Sequence, residues 1–183
     1  MIKVTLGNGE IKEFDAPLSA FDAARELGEA KTACAAEIDG KVCDLRTTLT
    51  DGCTVKFLTF EDEQGQRAFN HTASHVLAQA VKRLFPATKL AIGPAIENGF
   101  YYDMDSPFPF TPEIMEKIEA EMRKICKEKL KLERFELPRA DAIKFMEEKN
   151  EPYKVELIND LPEDSVISFY RQGEFTDLCA GPH

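Results

Sequence analysis

Residues 2–14 read IKVTLGNGEIKEF, and this stretch decides the fold of the first part of the chain. Two runs of alternating apolar and polar residues flank the pair Asn8-Gly9, which is favoured in tight hairpin turns. A second stretch of the same kind, CAAEIDGKVCDL in residues 34–45, surrounds Asp39-Gly40. The sequence therefore predicts two antiparallel hairpins.

A helix and a last strand complete this first unit. Ser19 predicts the N-cap of a short helix over residues 20–27, which Gly28 ends. Residues 54–60, TVKFLTF, predict a strand. The order hairpin, helix, hairpin and strand predicts a small α+β roll over residues 1–62. This unit contains no histidine and no cluster of catalytic residue types, so we interpret it as a packing or docking module.

The rest of the chain predicts a second α+β unit over residues 63–183. Residues 61–66, EDEQGQ, predict a short polar linker. Further helices are predicted over residues 67–85, after an N-cap at Thr111, and over residues 140–148. Strands are predicted over residues 100–103, 153–158 and 168–170, and they lead to a loop over residues 177–183.

All three histidines of the chain belong to one pattern, in which His71 and His75 are followed a hundred residues later by Asp177-x-Cys179-x-x-x-His183. Two imidazoles four residues apart on a helix point the same way. With Cys179 and His183 they make a set of nitrogen and sulfur groups. Such a set suits a zinc site or a hydrolytic site that positions water.

The helix that carries the two histidines has an apolar stripe nearly opposite to them. The stripe comprises Phe69, Ala73, Val76, Leu77, Ala80, Val81 and Leu84. We therefore expect both histidines to face a cleft or solvent rather than the core that this helix buries. Two ordinary surface histidines are the alternative.

Composition limits the class of protein. The chain has 183 residues, 43% of them apolar, which is enough for a core, and its net charge is −10. An acidic chain does not attract nucleic acid through its overall field. The one basic patch lies in residues 123–134, and it is either a solvated helix face or a contact for a phosphate backbone. Five scattered cysteines do not form a disulfide framework, and no long apolar run is present, so we expect a soluble, cytoplasmic protein.

Five strings together resemble the N-terminal region of the bacterial threonyl-tRNA synthetase family. In chain order they are HTASH (71–75), AIGP (91–94), NGFYYD (98–103), YKV (153–155) and DLCAGPH (177–183). The resemblance implies a ubiquitin-like β-grasp module, the TGS domain, in residues 1–62. It implies in residues 63–183 an editing domain of the superfamily that threonyl- and alanyl-tRNA synthetases share.

The resemblance also implies an activity and its residues. The family's editing domain hydrolyses tRNA(Thr) that carries serine by mistake. On the matching positions His71 and His75 orient or deprotonate water, Lys154 supplies positive charge, and Asp177 orients a partner. Cys179 and His183 close the pocket, and Gly93, Pro94 and Tyr102 contact the substrate. No metal is needed for editing, although Zn²⁺ could occupy His71, His75, Cys179 and His183.

In the family, the editing domain continues past His183, and a domain that binds ATP and Zn²⁺ and attaches threonine follows it. We therefore expect this chain to be a monomeric piece of a homodimeric parent and a poor deacylase alone. We expect His183, as a terminal residue, to fray. Two further classes remain open: a structural zinc domain, and a module that docks RNA or protein without catalysis.

Overall fold

The computed structural model describes all residues from Met1 to His183. The chain forms two compact units. The first comprises residues 1–72, 95–99 and 181–183, and the second comprises residues 73–94 and 100–180. Their boundary falls within a single helix, α2 (Glu63–Leu84).

The first unit is built on a five-stranded sheet. Its elements in chain order are β1 (Ile2–Leu6), β2 (Ile11–Phe14), α1 (Ala20–Glu26), β3 (Ala33–Ile38), β4 (Lys41–Cys43) and β5 (Thr54–Thr59). The strand order is β2-β1-β5-β3-β4, with β1 and β5 parallel and the other neighbours antiparallel. Both predicted hairpins and the helix between them are confirmed, and together they make a β-grasp fold.

Local chemistry explains these elements. The Ser19 hydroxyl accepts a hydrogen bond from the Asp22 amide at 3.0 Å, which caps α1. The turn between β3 and β4 has Asp39 at φ 49° and Gly40 at φ 78°, the pair of left-handed conformations that this hairpin requires. The core is formed by alanines of α1 packed on the sheet, with buried side chains from Ile2, Val4, Phe14, Leu49, Val55 and Phe57.

Helix α2 begins at Glu63, four residues earlier than predicted, so the predicted linker is wrong over most of its length. The polar residues of that stretch form the first turn of the helix. An acidic residue there is stabilised by the helix dipole. The connection is tight, because the Asp62 carboxylate accepts a hydrogen bond from the Thr59 amide at 2.8 Å.

Four short strands follow α2, namely β6 (Lys89–Leu90), β7 (Ala95–Ile96), β8 (Gly99–Phe100) and β9 (Met104–Asp105). The later elements, all in the second unit, are α3 (Pro112–Glu128), β10 (Leu132–Glu136), α4 (Arg139–Glu148), α5 (Pro152–Asp160), β11 (Ser168–Gln172) and β12 (Phe175–Leu178). The last three strands form an antiparallel sheet in the order β10-β11-β12. Helix α2 packs on α3 through Val76, Ala80, Val81, Ile118 and Ile125. Helices α4 and α5 share a core with the sheet. None of the helices combines the length and the apolar character needed to cross a membrane.

Three sequence predictions for this unit are wrong. Residues 153–158 form part of helix α5 rather than a strand, and Lys154 and Ile158, one helical turn apart, are both buried. Residues 100–103 form no continuous strand, since only Phe100 belongs to one, the short strand of residues Gly99–Phe100. Asp177 lies in strand β12 and not in a loop.

Candidate functional site

Helix α2 places His71 and His75 one turn apart, as predicted, but His75 does not face solvent. Its side chain is 4% exposed. Strand β12 covers this side of the helix, and the ring of Phe175 meets the His75 ring edge to face at 6.3 Å between centroids. The expectation of an open cleft at His75 failed because β12 was not predicted as a strand.

A charged network surrounds His75 in the second unit. The Asp177 carboxylate lies 3.6 Å from His75 Nε2 and 2.8 Å from Lys154 Nζ, and it accepts a short hydrogen bond from the Tyr102 hydroxyl. Lys154 also donates to the Tyr102 oxygen at 2.9 Å. Lys154 and Asp177 side chains are 4% and 3% exposed. Charges this far from water persist only when they are paired and hydrogen-bonded, as these are.

The network sets the protonation of its members. Burial alone raises the pKa of the Asp177 carboxyl, but the charges of Lys154 and His75 and the hydrogen bonds from Lys154 and Tyr102 outweigh it. The pKa therefore lies below its usual range. Burial, followed by the nearby Asp177 charge, raises the pKa of the Tyr102 phenol well above its usual value. Asp177 is therefore an anion at neutral pH, and Tyr102 keeps its proton and donates it.

Each member of the network comes from a different element. Lys154 reaches inward from the first turn of α5, which Pro152 begins, a position that suits proline because no helical donor is lost there. Asp177 points to the same side of β12 as Phe175, since side chains two apart share a face. Tyr102 lies in the segment between two short strands, β8 (Gly99–Phe100) and β9 (Met104–Asp105).

Gly93, which precedes Pro94 in the chain, is in close contact with Tyr102. A Cβ atom on Gly93 would lie 2.2 Å from the Tyr102 ring, so only glycine fits there. The Gly93 carbonyl accepts a hydrogen bond from the Ser74 hydroxyl on α2 at 2.9 Å. Cys179 is half-buried just past β12, and its carbonyl accepts from the Ser168 hydroxyl at 2.6 Å.

His183 is held in place in the first unit, so the expectation of a frayed end is wrong. Its ring is stacked on that of His71 at 4.1 Å between centroids, and its Nδ1 lies 3.3 Å from the Thr72 hydroxyl. Its amide donates to the Asp44 carboxylate at 2.7 Å, and its carbonyl accepts from Arg46 at 3.1 Å. His183 is 4% exposed.

A His/Cys group of possible metal ligands is present. His71 and His183 belong to the first unit, and His75 and Cys179 belong to the second. Imidazole and thiol groups are donors that Zn²⁺ accepts in tetrahedral geometry.

Comparison with known proteins finds a domain match and several relatives of this chain. Residues 2–59 match the TGS domain. The chain is 62% identical to the threonine–tRNA ligases of Clostridium kluyveri and Clostridium botulinum, and 60% identical to that of Acetivibrio thermocellus, in each case over 185 aligned residues that cover 100% of this chain. Over its whole length the chain is therefore similar to threonine–tRNA ligases. It spans 29% of the length of these relatives, and it corresponds to their N-terminal region.

Two residues near the site were missed by sequence reasoning. Gln79 and Arg83 continue the four-residue spacing of His71 and His75 along α2, and both contact the turn that leads into β12. The four-residue spacing alone places Gln79 and Arg83 on the same face of α2 as the two histidines. It did not identify them as residues near the site, because the sequence does not show which strand covers this face of the helix.

Proposed function

We propose that this chain is the N-terminal region of a cytoplasmic enzyme that uses ATP to attach threonine to its tRNA. The relatives that it matches over its whole length are named threonine–tRNA ligases. We assign residues 1–62 to the TGS domain and residues 63–183 to an editing domain, with tRNA(Thr) as the partner. ATP and the Zn²⁺ of the aminoacylation reaction would bind beyond this chain.

The proposed task of residues 63–183 is to hydrolyse the ester of serine mistakenly attached to tRNA(Thr). Serine lacks one methyl group of threonine, and a missing methyl group is worth only about 1–3 kcal/mol of discrimination. A synthetase that binds threonine therefore also accepts some serine. A second site that admits the smaller product and hydrolyses it restores accuracy.

The observation that carries this proposal is the buried network of His75, Lys154, Asp177 and Tyr102. Ester hydrolysis needs a positioned water, a base and a positive group near the oxygen that gains negative charge. We assign the water and base to His71 and His75. We assign to Lys154 the positive charge that stabilises the tetrahedral oxyanion or holds the terminal ribose. Asp177 is an anion that orients His75 and can receive the ammonium group of serine.

Deacylation of seryl-tRNA(Thr) tests this function, measured with the 183-residue chain and with the full-length synthetase. We expect His71→Ala in the full-length synthetase to abolish hydrolysis of seryl-tRNA(Thr) and to leave threonine attachment at its original rate, because the two sites are separate. Hydrolysis at the original rate would show that His71 is not needed. Loss of both activities would show that the sites are not separate.

A structural zinc site is a second candidate, since His71, His75, Cys179 and His183 are residue types that bind Zn²⁺. Metal analysis of the purified chain, followed by chelation, separates the two candidates. One equivalent of zinc together with unfolding on chelation would support a structural centre. Hydrolysis of seryl-tRNA(Thr) that survives complete chelation would support positioning of water without a metal.

A further inference from the structure

Beyond His75, helix α2 holds the hairpin turn that joins β11 to β12. Gln79 is fully buried, and its amide nitrogen donates to the Gln172 carbonyl and to the Glu174 carboxylate, both at 3.1 Å. One turn further, Arg83 binds Glu174 through two hydrogen bonds, Nε at 2.5 Å and Nη2 at 3.0 Å. Because two hydrogen bonds join the Arg83 guanidinium to the Glu174 carboxylate, they fix the relative orientation of the two groups as well as their distance.

Glu174, in this turn, lies three residues before Asp177 of strand β12. Strand β12 is at the edge of its sheet and pairs only with β11. Along α2 the step from His75 to Gln79 is about 6 Å at 1.5 Å per residue. Along β12 the three-residue step from Asp177 to Glu174 is about 10 Å. This step falls between the steps along α2 from His75 to Gln79 and from His75 to Arg83, the second of which is about 12 Å. The strand runs antiparallel to the helix, so Asp177 meets His75 when Glu174 meets Gln79 and Arg83.

We propose that Gln79 and Arg83 are positioning residues that set the register of β12 on α2 and so place Asp177 against His75. A one-residue slip of β12 would turn Asp177 to the other face of the strand. Two hydrogen-bonding side chains at the turn prevent such a slip, since Phe175 alone makes only non-directional contacts with Ala78 and Leu90. The catalytic consequence rests on the proposed editing function, whereas the register itself does not.

Arg83 offers a matched control, because it also binds Glu128 on α3 through two hydrogen bonds, of 2.8 and 2.9 Å. Glu128 and Glu174 are thus both bidentate partners of the same guanidinium. Their side chains are 31% and 54% exposed. Only Glu174 belongs to the hairpin that leads to Asp177. A general stabilising role predicts similar effects of removing either carboxylate, whereas a positioning role predicts different ones.

The test compares Glu174→Ala with Glu128→Ala in the full-length protein and in the 183-residue chain. In the full-length protein we expect Glu174→Ala to lower kcat of seryl-tRNA(Thr) hydrolysis roughly 10- to 100-fold with KM unchanged, the scale of a misplaced catalytic group. Glu174→Gln keeps groups that can hydrogen-bond to Gln79 and should recover part of kcat. Glu128→Ala should leave kcat within twofold. Equal losses of kcat in the two alanine variants would overturn the proposal.

A second measurement in the 183-residue chain does not depend on activity. In the nuclear Overhauser spectrum, contacts from the Phe175 ring to His75 and Ala78 report the register directly. We expect Glu174→Ala to weaken or shift these contacts and Glu128→Ala to preserve them. Unchanged contacts in Glu174→Ala would overturn the proposed register role even if editing is confirmed. Altered contacts in Glu174→Ala, together with a wild-type full-length protein that does not hydrolyse seryl-tRNA(Thr), would support the register role and refute the editing function.

Discussion

Gly65 lies in the first turn of α2, where the helix passes directly over the end of β5. A Cβ atom there would lie 1.9 Å from the Thr59 carbonyl oxygen. In an exposed helix interior, replacing glycine by alanine stabilises by about 1 kcal/mol. We expect Gly65→Ala to have the opposite effect and to lower the free energy of unfolding by roughly 1–3 kcal/mol, because the added methyl group overpacks against backbone that cannot easily move.

Urea unfolding of Gly65→Ala checks this expectation. Gln64→Ala, at an exposed position of the same turn, serves as the control and should change stability by less than about 0.5 kcal/mol. A more stable Gly65→Ala protein would mean that the close approach of α2 to Thr59 does not occur.

Lys154 and Asp177 depend on each other at the centre of the second unit. Because both are buried, removal of one leaves an uncompensated charge, and we expect Lys154→Met to destabilise by about 3–5 kcal/mol. The double variant Lys154→Met/Asp177→Asn carries no buried charge at these positions and should be more stable than Lys154→Met alone. A double-mutant cycle by urea unfolding measures this coupling, and strictly additive losses would contradict the pairing.

The carboxyl group of Glu174 makes the free energy of unfolding depend on pH in the acid range. Hydrogen bonds from Arg83, and less strongly from Gln79, lower the pKa of its carboxyl from 4.5 to about 2. A carboxyl whose pKa is lowered by folding stabilises the protein fully above the unfolded pKa. That stability is lost as pH falls through the folded pKa, here between about pH 4.5 and pH 2.

Thermal unfolding of wild type and Glu174→Gln across this range measures the effect. The two curves should differ most above pH 4.5 and converge toward pH 2. Glu116→Gln, at an exposed position of α3, should run parallel to wild type. A constant difference between Glu174→Gln and wild type at every pH would show that the charge of Glu174 does not matter.

At the scale of elements, prediction succeeded where local signals decide the structure. The hairpins follow from the turn pairs Asn8-Gly9 and Asp39-Gly40, whose conformational needs are met within a few residues. The caps Ser19 and Thr111 are confirmed for the same reason, since each hydroxyl accepts from an amide three residues later.

Prediction failed where packing decides. Residues 153–158 alternate apolar and polar side chains like a strand, yet they form helix α5 because burial falls on Lys154 and Ile158 at helical spacing. Because lysine is charged, the buried Lys154 did not mark the buried face of a helix in the apolar pattern of the sequence. Likewise the candidate residues Lys154 and Asp177 came from the resemblance to a family. The contact of Asp177 with His75 depends on β12, which no local pattern indicated.

At the scale of the whole molecule, the first unit has a core of its own. Val4, Val55 and the alanines of α1 are fully or almost fully buried among residues of the sheet and helix. We therefore expect residues 1–62 to fold alone, although a domain of about 60 residues is only marginally stable. Dispersed amide resonances and cooperative thermal unfolding of this piece are the expected results.

Ala24→Asp in the same piece serves as the control. It places a charge at a position that is 0% exposed and should abolish cooperative unfolding. A piece of residues 1–62 that is unfolded without this substitution would show that its core needs the rest of the chain.

The position of β5 has a consequence for synthesis. This strand comes last in its sheet along the chain, yet it lies at the centre, between β1 and β3. A ribosome releases the N-terminus first, so both neighbours emerge before the strand that joins them. At about 5–20 residues per second, translation of residues 39–59 takes about 1–4 s. During that interval the nascent hairpins expose their apolar faces, and the speed of decoding over those codons sets how long they do so.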